Sequence, residues 1–154
     1  MTPAVNLLKR NRISFTLHRY THDANHPSFG LEAAEKLGVN PERVFKTLVV
    51  QLDGNDLAVA VLPVSRTLNM KEMARVFQVK KVAMAEAGPV QNTTGYVLGG
   101  VSPLAQKKAL PTVVDSSAFG FTTIFISGGR RGVEIELDPA DMLRLCNAVS
   151  ESIC

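Results

Sequence analysis

VFKTLVVQLDGNDLAVAVLP, residues 44–63, predicts the β-hairpin from which the rest of the fold can be worked out. Two apolar runs, at 44–52 and 57–62, are rich in valine, leucine and alanine, and Pro63 ends the second. The sequence DGN at 53–55 is typical of a hairpin turn, because these residues tolerate left-handed backbone angles. The segment therefore predicts two adjacent antiparallel strands.

Capping residues and apolar periodicity predict the remaining elements around this hairpin. Helices are expected at 3–10, 28–37, 69–77, 86–94 and from 139 onward, and strands at 13–20, 81–85, 112–115, 122–127 and 133–137. Strands and helices intermix irregularly, and no repeat or linker interrupts them. The pattern predicts one mixed α/β domain over residues 1–154, with a curled mixed sheet and helices outside it.

Composition narrows the class of protein without fixing its function. The chain has 154 residues, 45% of them hydrophobic, and a net charge of +3, which permits nucleic-acid binding but does not establish it. Basic residues cluster at 9–12, 80–81, 107–108 and 130–131, although each cluster alone is typical of a solvated surface. No apolar run is long enough for a membrane span, and the N-terminus has no signal-peptide core, so a cytoplasmic protein is expected.

The sequence GGVSP at 99–103 is a candidate ligand loop. Adjacent glycines let a ligand approach the main chain, and their N–H groups can bind a carbonyl or phosphate oxygen. Ser102 would add a hydroxyl group. On these residues alone, a tight turn between strands is the more common explanation.

Lys46 is unusual because it lies within an apolar strand. With a period of two, it shares a face with Val44, Leu48 and Val50, whereas Thr47 lies on the other face. Burying an unpaired ammonium group is costly, so an anionic ligand is one explanation. An edge-strand lysine that prevents aggregation, or a lysine whose head reaches solvent, explains the pattern equally well.

No metal or nucleophile motif accompanies these features. His18, His22 and His26 are spaced by four residues, but the first lies in a predicted strand and Pro27 follows the last, so a helical metal site is not favoured. The two cysteines, Cys146 and Cys154, form no CxxC pair and have no evident activating base. Metals and cofactors are therefore not expected, and an enzyme of this type would act through positioning and backbone hydrogen bonds.

Several stretches together resemble the YbaK family of free-standing aminoacyl-tRNA deacylases. They are MTPA at 1–4, GLEAAEKLGVNPERVFKT at 30–47, TGY at 94–96, GGVSPLAQKK at 99–108 and SGGRRG at 127–132. The resemblance covers essentially the whole chain and is strongest to the branch that hydrolyses Cys-tRNA(Pro). It implies a single deacylase domain built around a curled, barrel-like sheet.

The resemblance also implies a substrate and residue roles. The substrate would be cysteine esterified to tRNA(Pro), and also to tRNA(Cys), with the substrate thiol attacking its own ester to form a thiolactone. Lys46 would hold the phosphate or ribose near the terminal adenosine, and Gly99 and Gly100 would donate N–H groups to the ester carbonyl. The pocket would be lined by Tyr20, Thr47, Ser102, Ser127 and Glu134. Glu134 stands where relatives often carry aspartate, and Ala105 stands where they often carry glycine.

Partners and alternatives follow from the same resemblance. Basic pairs would contact acceptor-stem phosphates without reading sequence. Selection of tRNA(Pro) would then come from a partner such as prolyl-tRNA synthetase or an elongation factor. Two alternatives remain: a deacylase for alanine or serine that uses water, and a non-catalytic tRNA- or nucleotide-binding module.

Overall fold

The computed structural model describes residues 1–154 and contains five α-helices and eight β-strands. The helices are α1 (Pro3–Arg10), α2 (Phe29–Leu37), α3 (Met70–Phe77), α4 (Ala87–Thr94) and α5 (Pro139–Leu145). The strands are β1 (Phe15–Arg19), β2 (Phe45–Leu52), β3 (Asp56–Pro63), β4 (Val82–Met84), β5 (Thr112–Asp115), β6 (Ile124–Ser127), β7 (Val133–Leu137) and β8 (Val149–Glu151). The predicted mixed α/β class is confirmed.

The strands form two sheets, which corrects the expectation of one curled, barrel-like sheet. One sheet has the order β1-β7-β6, and the other has the order β4-β2-β3-β5-β8. A single parallel bridge, between Val44 and Phe125, joins them. Because no hydrogen-bond ladder continues past that bridge, the strands cannot close into a barrel.

The hairpin predicted from residues 44–63 is confirmed as β2 and β3. The two strands pair antiparallel over their full length, with Lys46 opposite Leu62 and Val50 opposite Ala58. Both faces of β2 are apolar, because Phe45 and Val49 belong to one hydrophobic cluster and Val50 and Leu52 to another. This central strand therefore carries Lys46 and Thr47 on opposite faces.

Capping side chains define the helix starts much as the sequence predicts. The side chains of Thr2, Ser28, Asn69 and Asp138 accept backbone N–H groups from the first turns of α1, α2, α3 and α5. Gly38 ends α2 with a φ of 67°. None of the helices is long and apolar enough to cross a membrane.

Two local elements were not predicted from the sequence, and one substituted residue has an unusual backbone conformation. Strand β8 was not predicted; it is only three residues long and exposed, so it lacks the alternation of a half-buried strand. A 3₁₀ turn at Ser116–Gly120 was also not predicted. Ala105, which replaces a glycine common in relatives, adopts a φ of 56°, a conformation that disfavours a side chain.

Candidate functional site

A cavity of about 420 Å³ lies where the two sheets meet. One wall comes from β2, and the facing wall comes from β7 and the ends of β1 and β6. The start of α2 and two glycine-containing loops complete it. Its lining residues are Tyr20, Pro27, Ser28, Phe29, Gly30, Val44, Phe45, Lys46, Thr47, Leu48, Val64, Leu98, Gly99, Val101, Ser127, Arg130, Arg131 and Glu134.

The cavity brings together six of the eight residues that the sequence analysis placed in a site. These are Tyr20, Lys46, Thr47, Gly99, Ser127 and Glu134. They come from three strands, one strand end and one loop that are distant in sequence. The other two, Gly100 and Ser102, do not line the cavity.

Gly100 and Ser102 have structural partners instead. A Cβ built on Gly100 would lie 2.7 Å from the Cα of Arg130, so this glycine allows its loop to pack against the loop 128–132. The Gly100 N–H already donates to the Val97 carbonyl at 3.0 Å. Ser102 is fully buried, and its Oγ accepts the N–H of Leu104 at 3.2 Å. Of the two glycines, Gly99 is therefore the one that lies in position to contact a ligand in the cavity.

Lys46 lies in the cavity wall, and its ammonium group already has one hydrogen-bond partner. Its Nζ donates to the carbonyl of Arg66 at 2.7 Å, and it makes no ion pair with a carboxylate. Burial lowers the pKa of the Lys46 ammonium. An ammonium group that has one carbonyl partner keeps two donors for a ligand.

Glu134 is the most strongly perturbed group in the cavity. Its side chain projects from β7, the residue is only 8% exposed, and its Oε2 has no hydrogen-bond partner. Burial raises the pKa of Glu134 to about 8, so its carboxyl group carries a proton at neutral pH. Tyr20 faces the same carboxyl group, and burial raises the pKa of its phenol as well. The cavity thus offers a neutral carboxylic acid that can both donate and accept hydrogen bonds.

Replacing Glu134 with glutamine is expected to increase stability relative to the wild type as pH rises from about 4.5 to about 8. In this interval the folded protein retains a proton that the unfolded chain has lost, so wild-type stability falls with pH. Glutamine stays neutral throughout. Chemical denaturation near both ends of the interval measures the effect. A difference between the two proteins that does not change with pH would show that Glu134 is ionised in the fold.

Unpaired polar atoms are concentrated at this cavity. Five buried side-chain atoms in the protein lack a hydrogen-bond partner, and four of them belong to cavity residues: Thr47 Oγ1, Arg131 Nε, Arg131 Nη2 and Glu134 Oε2. Unsatisfied buried groups are destabilising, so a concentration of them at one site indicates a place that a polar ligand completes.

The sequence analysis missed Phe29, and it named Arg131 only as one of several basic pairs and not as a cavity residue. The Arg131 guanidinium lies over the Phe29 ring, 3.6 Å from its centroid. A Cβ on Gly99 would lie 2.9 Å from that ring and 3.1 Å from Arg131 Cδ, so Gly99 leaves space for the stack. The basic pair within SGGRRG was the available signal, but a sequence does not show which aromatic ring a guanidinium meets.

Comparison with known proteins identifies the family. The sequence profile described as "Aminoacyl-tRNA editing domain" matches residues 29–145. The chain belongs to the aminoacyl-tRNA editing domain family. This confirms the family resemblance that the sequence motifs indicated.

Individual relatives extend over most of this editing domain. It is 34% identical over 146 residues to the "Putative Cys-tRNA(Pro)/Cys-tRNA(Cys) deacylase EbsC" of Enterococcus faecalis, which covers 95% of this chain and 88% of that protein. A crystal structure of the hypothetical protein APE2540 superposes with a TM-score of 0.86 at 26% identity, covering 98% of each chain. The crystal structure of "a putative trans-editing enzyme for prolyl tRNA synthetase" has a TM-score of 0.80 at 19% identity, covering 97% and 91%, and shares the fold.

The three histidines of the editing domain each face a glutamate. His18 contacts Glu136 at 2.9 Å, His22 contacts Glu32 at 2.8 Å and His26 contacts Glu35 at 3.0 Å. No group of three potential metal ligands occurs in the structure. The His22 and His26 pairs join the loop between β1 and α2, one border of the cavity, to α2, whereas the His18 pair joins β1 to β7.

Glu32 anchors that loop from the inside. Burial alone would raise the pKa of Glu32, but hydrogen bonds from His22, the N–H of Asp23 and Lys36 lower it to about 2. The sequence analysis assigned no role to Glu32, which occupies an otherwise ordinary position in the first turn of α2.

The two cysteines lie outside the cavity of the editing domain. Burial raises the pKa of Cys146 to about 12, and its Sγ donates to the carbonyl of Pro103 at 3.3 Å. Burial, with the neighbouring Asp115, raises the pKa of Cys154 to about 11. Neither thiol forms the thiolate that a nucleophile requires near neutral pH.

Proposed function

We propose that this editing domain is a trans-acting deacylase that removes cysteine from mischarged Cys-tRNA(Pro), and also from Cys-tRNA(Cys). The observation that carries the proposal is the cavity itself, which has unpaired polar groups on both walls and no nucleophile paired with a base. Its only lining hydroxyls are those of Tyr20, Ser28, Thr47 and Ser127, and no histidine or cysteine lines it. The reacting nucleophile is therefore best supplied by the substrate.

The reaction that fits is an intramolecular transfer. The cysteine thiol of the substrate attacks the ester carbonyl, a C–S bond forms and the C–O bond to the ribose breaks. The thiol proton passes to the ribose oxygen, which leaves as a hydroxyl, and the amino acid departs as a thiolactone. The protein has to bend the aminoacyl group, exclude water and stabilise the developing oxyanion.

Cavity residues divide between these tasks. Gly99 has no side chain, and its N–H makes no hydrogen bond within the protein, so it is free to donate to the carbonyl oxygen. Lys46 binds the ribose or phosphate side of the terminal adenosine. Glu134 and Thr47 contact the amino-acid part, and Tyr20 and Ser127 border the same space. Partners such as prolyl-tRNA synthetase supply the choice of tRNA.

One observation favours a second candidate, a deacylase that activates water against alanyl or seryl esters. Glu134, with a pKa of about 8, is suited to proton transfer near neutral pH. In that reaction Glu134 in its ionised form would take the proton of an attacking water. The two candidates differ in whether the substrate needs a thiol.

A panel of charged tRNAs separates the candidates. Cys-tRNA(Pro) is expected to be deacylated at least about tenfold faster than Ala-tRNA(Pro) or Ser-tRNA(Pro), since a positioned intramolecular nucleophile has a large entropic advantage. S-methylation of the cysteine should reduce turnover to the alanyl level, and a thiolactone should be detectable by mass spectrometry. Equal turnover of all substrates would favour water, and no turnover of any would favour a binding module.

The protein's own thiols provide the control for that panel. Cys146→Ser and Cys154→Ser are expected to deacylate Cys-tRNA(Pro) at the wild-type rate, because neither residue lines the cavity. Loss of activity in either variant, with folding intact, would mean that a protein thiol takes part.

A further inference from the structure

We infer that Arg131, with Phe29 beneath it, binds the last phosphodiester of the RNA substrate, the one that precedes the terminal nucleoside. The inference rests on the proposed function and assigns one specific phosphate to Arg131, which the sequence analysis placed only among the basic pairs expected at acceptor-stem phosphates. It begins from a guanidinium group that has an aromatic partner but no hydrogen-bond or ion-pair partner at its edge.

The unpaired atoms of Arg131 are the ones that recognise phosphate. Nε and Nη2 form one edge of the guanidinium; both are buried and both lack partners, so a bound phosphate has to enter the cavity to reach them. That edge presents two parallel N–H donors, which match two oxygens of a phosphate group. The Phe29 ring covers one face of the guanidinium and holds its plane, so less side-chain freedom is lost when an anion binds.

The position of Arg131 suits a phosphate rather than the reacting ester. The closed end of the cavity is at Glu134, which is 8% exposed, whereas Phe29 and Leu98 are 43% and 51% exposed and lie at its opening. An aminoacylated RNA must enter with its amino acid first. Its phosphate chain then passes the opening, where Arg131 stacks on Phe29.

Before the reaction begins, phosphate is the permanent anion that the substrate offers to this residue. The aminoacyl end carries an ammonium group, an ester and ribose hydroxyls, and its only negative charges are phosphodiesters. Arg131 has no carboxylate neighbour that neutralises it, because it takes part in none of the ion pairs that the structure contains. Lys46 already donates a hydrogen bond to the Arg66 carbonyl. In this arrangement its remaining donors bind the ribose of the terminal nucleoside.

The test uses an RNA acceptor minihelix ending in CCA, with either a natural last linkage or an uncharged methylphosphonate there. Fluorescence anisotropy measures its dissociation constant with the wild type, Arg131→Ala and Arg131→Lys. For the wild type, the methylphosphonate is expected to weaken binding by about tenfold or more, as expected for loss of a charged bidentate contact. Arg131→Ala should weaken binding of the natural minihelix similarly and show no further penalty with the methylphosphonate.

Two further variants serve as controls for this experiment. Arg131→Lys keeps the positive charge but loses the two parallel N–H donors of the guanidinium. Its affinity should therefore lie between those of Arg131→Ala and the wild type. Arg75→Ala removes a positive charge from the exposed face of α3, outside the cavity, and should retain wild-type affinity and the full methylphosphonate penalty. The melting temperature of each variant shows whether it is folded.

Each outcome has a distinct meaning. A methylphosphonate penalty that persists in folded Arg131→Ala, or no penalty in the wild type, overturns the inference while leaving the deacylase proposal standing. Failure of the wild type to bind the minihelix, together with failure to deacylate any charged tRNA, overturns the proposed function itself.

Discussion

Replacing Lys46 with alanine is expected to lower kcat/KM for Cys-tRNA(Pro) by about 100- to 1,000-fold, the usual effect of removing one positioned donor from a reacting centre. Lys46 is the only lysine that lines the cavity, and its ammonium donates a hydrogen bond to the Arg66 carbonyl. Single-turnover deacylation measures the chemical step. The loss should appear in the rate constant as well as in binding.

The same substitution should leave the fold intact. Only the hydrogen bond to Arg66 is lost, which contributes about 1 kcal/mol. Lys71→Ala, at an exposed position on α3, is the matched control and should deacylate normally. If Lys46→Ala has wild-type kinetics, Lys46 is a wall residue and the proposed contact with the terminal nucleoside is incorrect.

Replacing Gly100 with alanine is expected to destabilise the protein by about 1–3 kcal/mol, the usual range for inserting a methyl group into packed surroundings. The new Cβ would lie 2.7 Å from Arg130 Cα and 3.2 Å from its carbonyl carbon. Backbone atoms cannot rotate away as a side chain can, so the two glycine loops must separate. Thermal or chemical denaturation measures the loss.

Gly88→Ala provides the comparison for this result. No atom lies within 4 Å of a Cβ built at Gly88, which is within α4, so alanine there should be neutral or stabilising. On sequence grounds alone, alanine at Gly100 would be expected to harm turnover more than folding, by crowding the ester. The structure reverses that order, and a Gly100→Ala protein of wild-type stability would contradict it.

Local elements were predictable because their signals are local. The hairpin of residues 44–63 needs only two apolar runs and a turn, and the start of α3 needs only Asn69 as its cap. The separation of the strands into two sheets depends on long-range pairing, such as β1 with β7, and no local pattern encodes it.

The candidate site was predictable where residue chemistry was unusual. A lysine in an apolar strand and a glycine pair next to a strand both pointed towards the cavity, and the family resemblance added Tyr20 and Glu134. Gly100 was misplaced because a missing side chain can accommodate a neighbouring loop as well as a ligand. The place of Arg131 in the cavity was missed because its stacking on Phe29 joins segments about a hundred residues apart.

The two sheets are joined by a single backbone bridge, which affects how substitutions in one wall of the cavity influence the other wall. Lys46 and Glu134 stand on opposite walls. The backbone pairing between the two sheets is limited to the Val44–Phe125 bridge, although their side chains share a hydrophobic core and Arg43 contacts Thr123 and Glu136. A substitution that reshapes the amino-acid side is therefore not relayed along a ladder to the nucleotide side. Under the proposed function, such a scaffold would allow the preferred acyl group to change while the contacts with the RNA terminus stay the same.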